Sequence, residues 1–289
     1  MEKYSISIFG YGYVGSAMGY LCEKNNVEFN VYDIQQKKGN FKYFDNVSKL
    51  VNFSESISDI HYVIIAVPTP SDINGNCDIS IVKKVLSDLN TVSNKETYVI
   101  IKSTLVPGTC NKLNEEFPEL NIVFCPEFLT EKKYLNDIYN AKFILLGIPH
   151  LFNMSKYQKI LKVMRIFYNH NSQIDIFMKS YEECELFKYT LNTFFATKIT
   201  FFNEIHELCE KMNVDYEKLK ELFKLDQRVG SYGTDIPGSG NEFYGFFLRC
   251  LPKESDGLIK LQENLELSSE LMTCVVKRNK YFNNKQVKK

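Results

Sequence analysis

Hydrophobic and polar residues follow two different patterns along the chain, and the change lies near residue 180. Before it, short β-branched or aromatic runs alternate with amphipathic stretches. The runs predict strands at Ser5–Phe9, Glu28–Tyr32, Tyr62–Val67, Tyr98–Lys102, Ile122–Cys125, Phe143–Leu146 and Ile174–Met178. The stretches predict helices at Val14–Lys24, Ile79–Leu89, Cys110–Phe117 and Met154–Tyr168. Several runs are hydrophobic almost throughout, as in a sheet that helices cover on both faces, so residues 1–180 are predicted to form a doubly wound α/β domain with a parallel sheet.

Residues 181–289 carry helical spacing instead. Glu182–Met212 contains no proline or glycine and predicts one long helix, and shorter helices are predicted at Tyr216–Phe223, Ser255–Asn264 and Ser268–Phe282. Six glycine or proline residues between positions 230 and 245 predict a loop. The second region is therefore predicted to be an all-helical domain.

Composition narrows the classes of partner. Lysine plus arginine and aspartate plus glutamate number 35 each, and this balance gives no field that favours nucleic acid or an anionic membrane. No run of about 18 apolar residues predicts a transmembrane helix, and the N-terminus leads into a strand without a signal-peptide pattern. The eight cysteines form no Cys-x-x-Cys pair and no Cys/His cluster, so free thiols in the cytoplasm and no metal site are expected.

A glycine pattern stands between the first predicted strand and helix. Gly10, Gly12 and Gly15 fit Gly-x-Gly-x-x-Gly, in which glycines let backbone amides approach a pyrophosphate at a positive helix N-terminus. Asp33 follows Gly15 by 18 residues, where its carboxylate accepts ribose hydroxyls and repels a 2′-phosphate. The pattern predicts a Rossmann-type domain that binds NAD in preference to NADP.

Polar segments follow the next strands, at the edge where doubly wound sheets bind ligands. Residues 66–70 and 102–109 are two of them, and an interpretation as simple strand-ending segments explains both equally well. Glu127 and Glu131 stand four apart after the fifth predicted strand. They would share a face if this segment were helical, and would then order a water or the substrate or form a solvated first turn.

The second half carries candidates for covalent chemistry. Lys188 and Asn192 stand four apart on the long helix, and a cation beside an amide suits an oxyanion, although a surface position explains either residue alone. Cys250 lies three residues before Lys253, whose charge favours the thiolate of a nearby cysteine. A thiolate in a chain with a dinucleotide loop predicts attack on a carbonyl that oxidation has formed.

Taken in order, these segments resemble the nucleotide-sugar 6-dehydrogenases, the UDP-glucose and GDP-mannose dehydrogenase family. The segments that carry the resemblance, from about residue 4 to about 280, are the glycine loop with Tyr13-Val14, Val67-Pro68-Thr69-Pro70, Ser103-Thr104, Pro126-Glu127-Phe128-Leu129, Lys188 with Asn192, Asn203-Glu204, Asp226-Gln227-Arg228, Pro237-Gly238 and Cys250-Leu251-Pro252-Lys253.

The resemblance implies a role for each residue. Cys250 would capture an aldehyde as a thiohemiacetal and then carry a thioester, Lys188 and Asn192 would stabilise oxyanions, and Thr104 and Glu131 would position a water or proton relay. Residues implied near NAD are Gly10, Gly12, Tyr13, Val14, Gly15, Asp33, Thr69, Thr104, Glu131 and Lys253. Residues implied near a UDP-glucose-like sugar nucleotide are Glu127, Phe128, Leu129, Lys188, Asn192 and Arg228. The family also implies a homodimer through the helical domain.

Three departures from the family pattern shape the interpretation. Phe247 and Leu248 stand where the family has glycines, and Glu254 stands where it has aspartate beside the nucleophile. The family's third domain, which binds the nucleotide end of the substrate, has no counterpart in these 289 residues, so the chain is interpreted as a fragment or a minimal form.

Two competing interpretations remain beside two-step oxidation. One is an NAD-binding dimer without catalysis. The other is a one-step dehydrogenase of the β-hydroxyacid type, against which Cys250 argues because a single hydride transfer needs no thiolate.

Overall fold

The computed structural model describes residues 3–72, 75–130, 132–150, 153–238, 243–247 and 250–285. The chain divides into two compact units. The first comprises Met1–Pro70 and Asp78–Lys188, and the second comprises Ser71–Cys77 and Tyr189–Lys289. The predicted domain boundary at residue 180 stays a prediction.

The first unit contains one eight-stranded sheet in the order β3-β2-β1-β4-β5-β6-β7-β8. Its strands are β1 (Tyr4–Phe9), β2 (Asn30–Tyr32), β3 (Lys42–Phe44), β4 (Ile60–Ile65), β5 (Glu96–Ile101), β6 (Asn121–Phe124), β7 (Phe143–Ile148) and β8 (Asp175–Ser180). All neighbours run parallel except β6 and β7, which pair antiparallel through Phe124 and Gly147. Because the strand order reverses between β1 and β4, the carboxyl ends of these two strands form the switch point at which such sheets bind ligands.

Helices cover both faces of this sheet, as predicted. They are α1 (Tyr13–Lys24), α2 (Val47–Ile57), α3 (Ser80–Val92), α4 (Thr109–Glu116), α5 (Tyr134–Tyr139) and α6 (Met154–Phe167). One core packs Met18, Ile138 and Val163 against one face, and the other packs Leu50 and Leu86 against the opposite face. All six residues of β4 are buried, which accounts for the continuous hydrophobic runs.

The sequence analysis did not identify β3, α2 and the six-residue helix α5. Strand β3 has three residues at the edge of the sheet, too few for a periodic pattern. Helix α2 is capped by Asn46, whose side chain accepts a hydrogen bond from the amide of Lys49 at 3.0 Å. The sequence did carry an indication of α2, namely an asparagine suited to an N-cap followed by apolar Val47, Leu50 and Val51 at helical spacing.

A buried histidine lies among serines under α2. Nε2 of His61 on β4 lies 2.8 Å from Oγ of Ser7, and Ser58 donates a hydrogen bond to Ser5 beside them. Burial lowers the pKa of His61 from 6.5 to about 4. Between about pH 4 and 6.5 the ring is therefore neutral in the folded protein and charged in the unfolded chain.

We expect His61 to make folding sensitive to acid. As pH falls from 6.5 to 4 the unfolded chain binds a proton that the folded protein does not, so the free energy of unfolding should drop by about 3 kcal/mol through this group. His61→Gln should flatten the dependence of urea-unfolding midpoints on pH in this window, whereas His150→Gln at an exposed position should leave it unchanged. Equal slopes in wild type and His61→Gln would contradict the assignment.

The second unit is helical in the described range. Helix α7 (Tyr181–Met212) begins in the first unit and continues into the second, in agreement with the predicted helix Glu182–Met212. It is followed by α8 (Tyr216–Leu225), α9 (Cys250–Asn264) and α10 (Glu270–Asn283). Arg278 of α10 pairs with Glu204 and Glu207 of α7 at 2.6 and 3.1 Å. Among the residues described, no helix combines the length and the apolar character needed to cross a membrane.

The start of α9 corrects one prediction. The helix was predicted from Ser255, with Pro252 outside it, but it begins at Cys250. Proline is tolerated in the first turn because the amides there have no acceptor within the helix. The candidate nucleophile is therefore the first described residue of this helix.

Candidate active site

The glycine loop uses its three glycines in different ways. Gly10 has φ +86°, and a Cβ there would lie 2.6 Å from the carbonyl oxygen of Ala66; a Cβ on Gly15 would lie 1.9 Å from the carbonyl oxygen of Gly10. A Cβ on Gly12 would meet no described atom within 4 Å. Gly10 and Gly15 are thus required by the turn itself, whereas Gly12 leaves space in front of the N-terminus of α1.

Asp33 fastens this loop to the end of β2. Its carboxylate accepts hydrogen bonds from the amides of Tyr11 at 2.7 Å and Gln35 at 2.8 Å, and Nζ of Lys37 lies 3.9 Å away. A carboxylate has lone pairs for further donors, so this arrangement is compatible with ribose hydroxyls. Within the described residues no side chain caps α1 and its first turn carries no acid. These features fit a dinucleotide with its pyrophosphate at the helix N-terminus.

The predicted cofactor residues at the ends of β4 and β5 meet each other. Oγ1 of Thr69 donates to the carbonyl oxygen of Thr104 at 2.9 Å, and Oγ of Ser103 donates to the carbonyl oxygen of Val67 at 2.7 Å. The two threonines therefore lie together on the ligand-binding edge of the sheet. At the other side of the switch point, Tyr13 is exposed and Val14 is half-buried in the first turn of α1.

A buried carboxylate that the sequence analysis did not identify holds the turn after β5. Glu185 of α7 accepts hydrogen bonds from the amides of Gly108 at 2.7 Å and Cys110 at 2.8 Å, at the start of α4. Burial raises its pKa to about 7, although the hydrogen bonds from residues 108 and 110 favour the ionised form. A helix that begins after a glycine has no side chain of its own at the N-cap to accept hydrogen bonds from its first amides. Gly108 was therefore the only local indication that another residue caps α4, and that residue, Glu185, lies 77 positions away.

Glu127 is not helical, so the condition under which Glu127 and Glu131 would share a helical face is not met at Glu127. Residues 126–130 are irregular and α5 begins only at Tyr134, since the chain leaves β6 through Pro126. Glu131 lies outside the described residues. Phe128 packs edge to face on Phe187, and Leu129 packs against the core of the first unit.

Two lysines contact Glu127. Nζ of Lys102 pairs with its carboxylate, and Nζ of Lys188 donates to its backbone carbonyl at 2.6 Å. Lys188 is buried and its ammonium lies 5.4 Å from the centre of the Phe128 ring. Lys188 is therefore a buried cation fixed to the ligand-binding edge of the sheet and not a surface residue, which was the competing interpretation.

The second unit brings together two other predicted residues. Nδ2 of Asn192 on α7 donates to the fully buried carboxylate of Glu254 on α9 at 2.9 Å. Gly257 permits this close packing, because a Cβ there would lie 2.9 Å from the ring of Tyr189. Cys250 is exposed at the first residue of the same helix, one turn before Glu254.

The segment that leads to Cys250 is anchored by asparagines. Asn203 accepts a hydrogen bond from the amide of Gly245 at 2.9 Å, and Asn279 accepts one from the amide of Phe246 at 2.7 Å. Phe247, where the resemblance implies a glycine, is 46% exposed and its ring packs on Phe243. Leu248 lies outside the described residues.

Lys253 and Arg228 are the remaining two predicted residues. Lys253 is half-buried in the first turn of α9. Arg228 is exposed in a turn and binds Asp226 through Nε at 2.9 Å and an Nη at 2.5 Å. Lys198 of α7 donates to the carbonyl oxygens of Val229 and Gly230 and so fixes the turn that carries Arg228.

Comparisons with known proteins agree with this layout. The model of the UDP-glucose/GDP-mannose dehydrogenase family, NAD binding domain, matches residues 41–165, and that of the family's central domain matches residues 182–281. The UDP-glucose 6-dehydrogenase of Rickettsia bellii (strain RML369-C) is 31% identical over 232 residues, or 79% of this chain and 51% of that protein. The UDP-glucose 6-dehydrogenase of Campylobacter jejuni subsp. jejuni serotype O:2 is 30% identical over 294 residues, or 95% of this chain and 71% of that protein.

A solved structure shares the fold. That of a UDP-glucose dehydrogenase from the hyperthermophilic archaeon Pyrobaculum islandicum superposes with a TM-score of 0.77 at 24% identity and covers 96% of this chain and 68% of that one. The chain thus spans between about half and about seven tenths of these relatives. With both family domains matched in order, and with a relative that is 30% identical and covered over 71% of its length, the chain belongs to the UDP-glucose/GDP-mannose dehydrogenase family.

Proposed function

We propose that this protein catalyses the NAD-dependent oxidation of a primary alcohol on a nucleotide sugar, of the UDP-glucose type, to a carboxylate in two steps. The observation that carries the proposal is Cys250, an exposed thiol at the first residue of a helix whose next turn is fixed to Asn192 through Glu254. A helix N-terminus favours a thiolate, and a dehydrogenase needs a thiolate only if it oxidises an aldehyde further.

The first unit would hold the cofactor. Gly12 and the first amides of α1 would face the pyrophosphate, and Asp33 would accept the ribose hydroxyls. Thr69 and Thr104 would contact the nicotinamide half, with Tyr13, Val14, Lys253 and Glu131 near the cofactor as the resemblance implies. Two molecules of NAD⁺, bound one after the other, would each accept one of the two hydrides that leave C6 of the sugar.

Cys250 would carry the carbon between the two oxidations. Loss of the first hydride and the hydroxyl proton converts the alcohol to an aldehyde. The thiolate of Cys250 adds to the aldehyde carbon, and protonation of the oxygen gives a thiohemiacetal. Loss of a second hydride and a proton gives a thioester, which water hydrolyses to the carboxylate and the free thiol. The sum is one alcohol, one water and two NAD⁺ converted to one carboxylate, two NADH and three protons.

Lys188 and Asn192 would stabilise the oxyanions of the addition and hydrolysis steps. Lys188 has one hydrogen-bond acceptor among the described residues, the carbonyl of Glu127, so an ammonium held by a single bond retains hydrogens for a developing oxyanion. Thr104 and Glu131 would position the water, while Glu127, Phe128, Leu129 and Arg228 would contact the sugar nucleotide.

A substrate panel tests the class of reaction. With NAD⁺ present, UDP-glucose should give NADH and a uronic acid, whereas 3-hydroxy acids should give no NADH. NADH from 3-hydroxy acids alone would support the one-step alternative, and NAD binding with no turnover of any nucleotide sugar would support the non-catalytic one.

We expect NAD⁺ to bind at least about tenfold more tightly than NADP⁺, because the Asp33 carboxylate would meet the 2′-phosphate with like charge. Calorimetry on wild type and Asp33→Ser should show the preference shrink in the variant. Lys37→Met is the matched control: it removes the cation 3.9 Å from Asp33 and should increase the discrimination. Equal affinities of the wild type for both cofactors would overturn the role of Asp33.

We also propose a homodimer built on α7, and place the protein in the cytoplasm because its scattered thiols suit a reducing compartment. Phe187, Phe194, Phe201 and Leu208 repeat every seven residues on α7, and each is between 42% and 57% exposed. A seven-residue apolar repeat is the spacing of helices that pack along one another, and a stripe of this length would need a partner.

Phe194→Glu together with Phe201→Glu should therefore convert dimers to monomers, because each charge would be buried against an apolar partner. Sedimentation velocity measures the change. Met154→Glu replaces an exposed apolar residue on α6 and should leave the dimer intact. A wild-type protein that sediments as a monomer at micromolar concentration would refute the dimer.

A further inference from the structure

Lys102 is a buried cation that the scheme above does not use. It is the residue directly after β5, and its side chain is 2% exposed. Its ammonium contacts three acceptors: the carboxylate of Glu127, Sγ of Cys125 at 3.3 Å and the carbonyl oxygen of Cys125 at 3.4 Å. An ammonium has three hydrogens, so these contacts occupy all of them. Lys102 therefore has no donor left for a substrate.

The charge of Lys102 is kept in spite of its burial. Burial acts to lower the pKa of this ammonium, but the Glu127 carboxylate in contact with it raises the pKa above its ordinary value. Burial raises the pKa of Cys125, and the thiol stays neutral. The cluster is thus one positive and one negative charge held in contact, and the loss of either charge alone would leave the other buried and uncompensated.

The segment that Lys102 contacts is also the one that holds Lys188. The ammonium of Lys102 fixes the side chain of Glu127 and the backbone of Cys125, while the backbone carbonyl of Glu127 accepts the 2.6 Å hydrogen bond from Lys188. No regular secondary structure supports residues 126–130. Contacts from Lys102 therefore take the place of a helix or strand in fixing where the Glu127 carbonyl points.

We propose that Lys102 is a positioning residue, which fixes the Cys125–Glu127 segment and through it the ammonium of Lys188. The catalytic part of this inference rests on the proposed function. A misplacement of about 1 Å at a reacting group reduces turnover by about 100-fold, so loss of Lys102 should lower kcat by about 10- to 100-fold. The KM for NAD⁺ should change less than about threefold, because Asp33 and the glycine loop stay in place.

The experiment measures Lys188 directly as well as through turnover. Lysine acetylation by acetic anhydride, followed by peptide mass spectrometry, should label Lys188 slowly in wild type and at least about fivefold faster in Lys102→Met. Lys83→Met is the matched control, since Lys83 forms an ion pair with Glu116 at 2.5 Å on the surface of the same unit. It should change neither Lys188 labelling nor kcat. Lys102→Gln, which keeps a donor for Glu127 but not the charge, serves if Lys102→Met does not fold.

The outcomes separate this inference from the proposed function. Faster Lys188 labelling with a fall in kcat supports both. If wild type gives no NADH with any nucleotide sugar but labelling of Lys188 still rises in the variant, the proposed function fails and the positioning role stands. If the Lys102 variants fold and neither Lys188 labelling nor kcat changes, Lys102 only neutralises Glu127 and the inference is wrong.

Discussion

Cys250→Ser is expected to abolish carboxylate formation, with a loss of about 10⁴-fold or more, because a serine hydroxyl is not ionised and does not form the thioester. The affinity for NAD⁺ should be unchanged, since the glycine loop belongs to the other unit. Cys274→Ser is the control, because Cys274 is also exposed and lies in α10 outside the proposed chemistry. Product is measured by mass spectrometry and cofactor binding by calorimetry.

Cys250 should also react with alkylating reagents faster than the other cysteines. Burial raises the pKa of Cys22 and Cys184 to about 12 each, so these thiols should alkylate slowly at neutral pH. Cys274 controls for exposure alone. Iodoacetamide labelling read by peptide mass spectrometry should rank Cys250 ahead of Cys274 and of all the others. If Cys250 reacts no faster than Cys274 and no nucleotide sugar gives NADH, the pocket is closed and the chain is a cofactor-binding scaffold.

The second large effect concerns the glycine loop, in which Gly15→Ala and Gly12→Ala should affect different properties, stability and NAD⁺ binding respectively. Gly15→Ala should lower the free energy of unfolding by about 2–4 kcal/mol, because its Cβ would lie 1.9 Å from a backbone carbonyl and the turn would have to move. Gly12→Ala should change stability by less than about 1 kcal/mol, because its Cβ would meet no described atom. It should nevertheless weaken NAD⁺ binding about 10- to 100-fold, because the methyl group would occupy the place of the pyrophosphate.

Urea unfolding measures the stability of the two variants, and calorimetry measures their affinity for NAD⁺. Gly108→Ala is not a suitable control, because Gly108 has φ +87° and alanine would be strained there. Gly238→Ala, whose Cβ would make only ordinary contacts at 3.8 Å in the second unit, should affect neither quantity. Gly12→Ala with wild-type NAD⁺ affinity would show that the pyrophosphate does not lie at the N-terminus of α1.

The parts of the fold that the sequence predicted are those that local patterns determine. Continuous hydrophobic runs such as Ile60–Ile65 follow from burial on both faces, and the 32 residues of α7 contain no residue that would interrupt a helix. The start of α9 was misplaced because Pro252 normally signals a helix boundary, yet it lies within the first turn, where proline costs no hydrogen bond.

The parts of the site that sequence reasoning missed depend on partners far apart in the chain. Lys102 was visible only as the end of a strand, and its burial follows from Cys125 and Glu127 on the neighbouring strand end. Glu185 stood in a helix without any local sign that it caps α4. A pattern within one element does not encode which side chain on another element satisfies a buried charge or a free amide.

The number of NADH molecules formed per molecule of sugar nucleotide consumed is the most direct measure of the central claim. In a single incubation with UDP-glucose, NADH is followed by absorbance, and the remaining UDP-glucose and its products are followed by mass spectrometry. Two-step oxidation through Cys250 predicts a ratio of two, with no free aldehyde. A ratio of one with an aldehyde or ketone product, or no NADH with any nucleotide sugar, would contradict it.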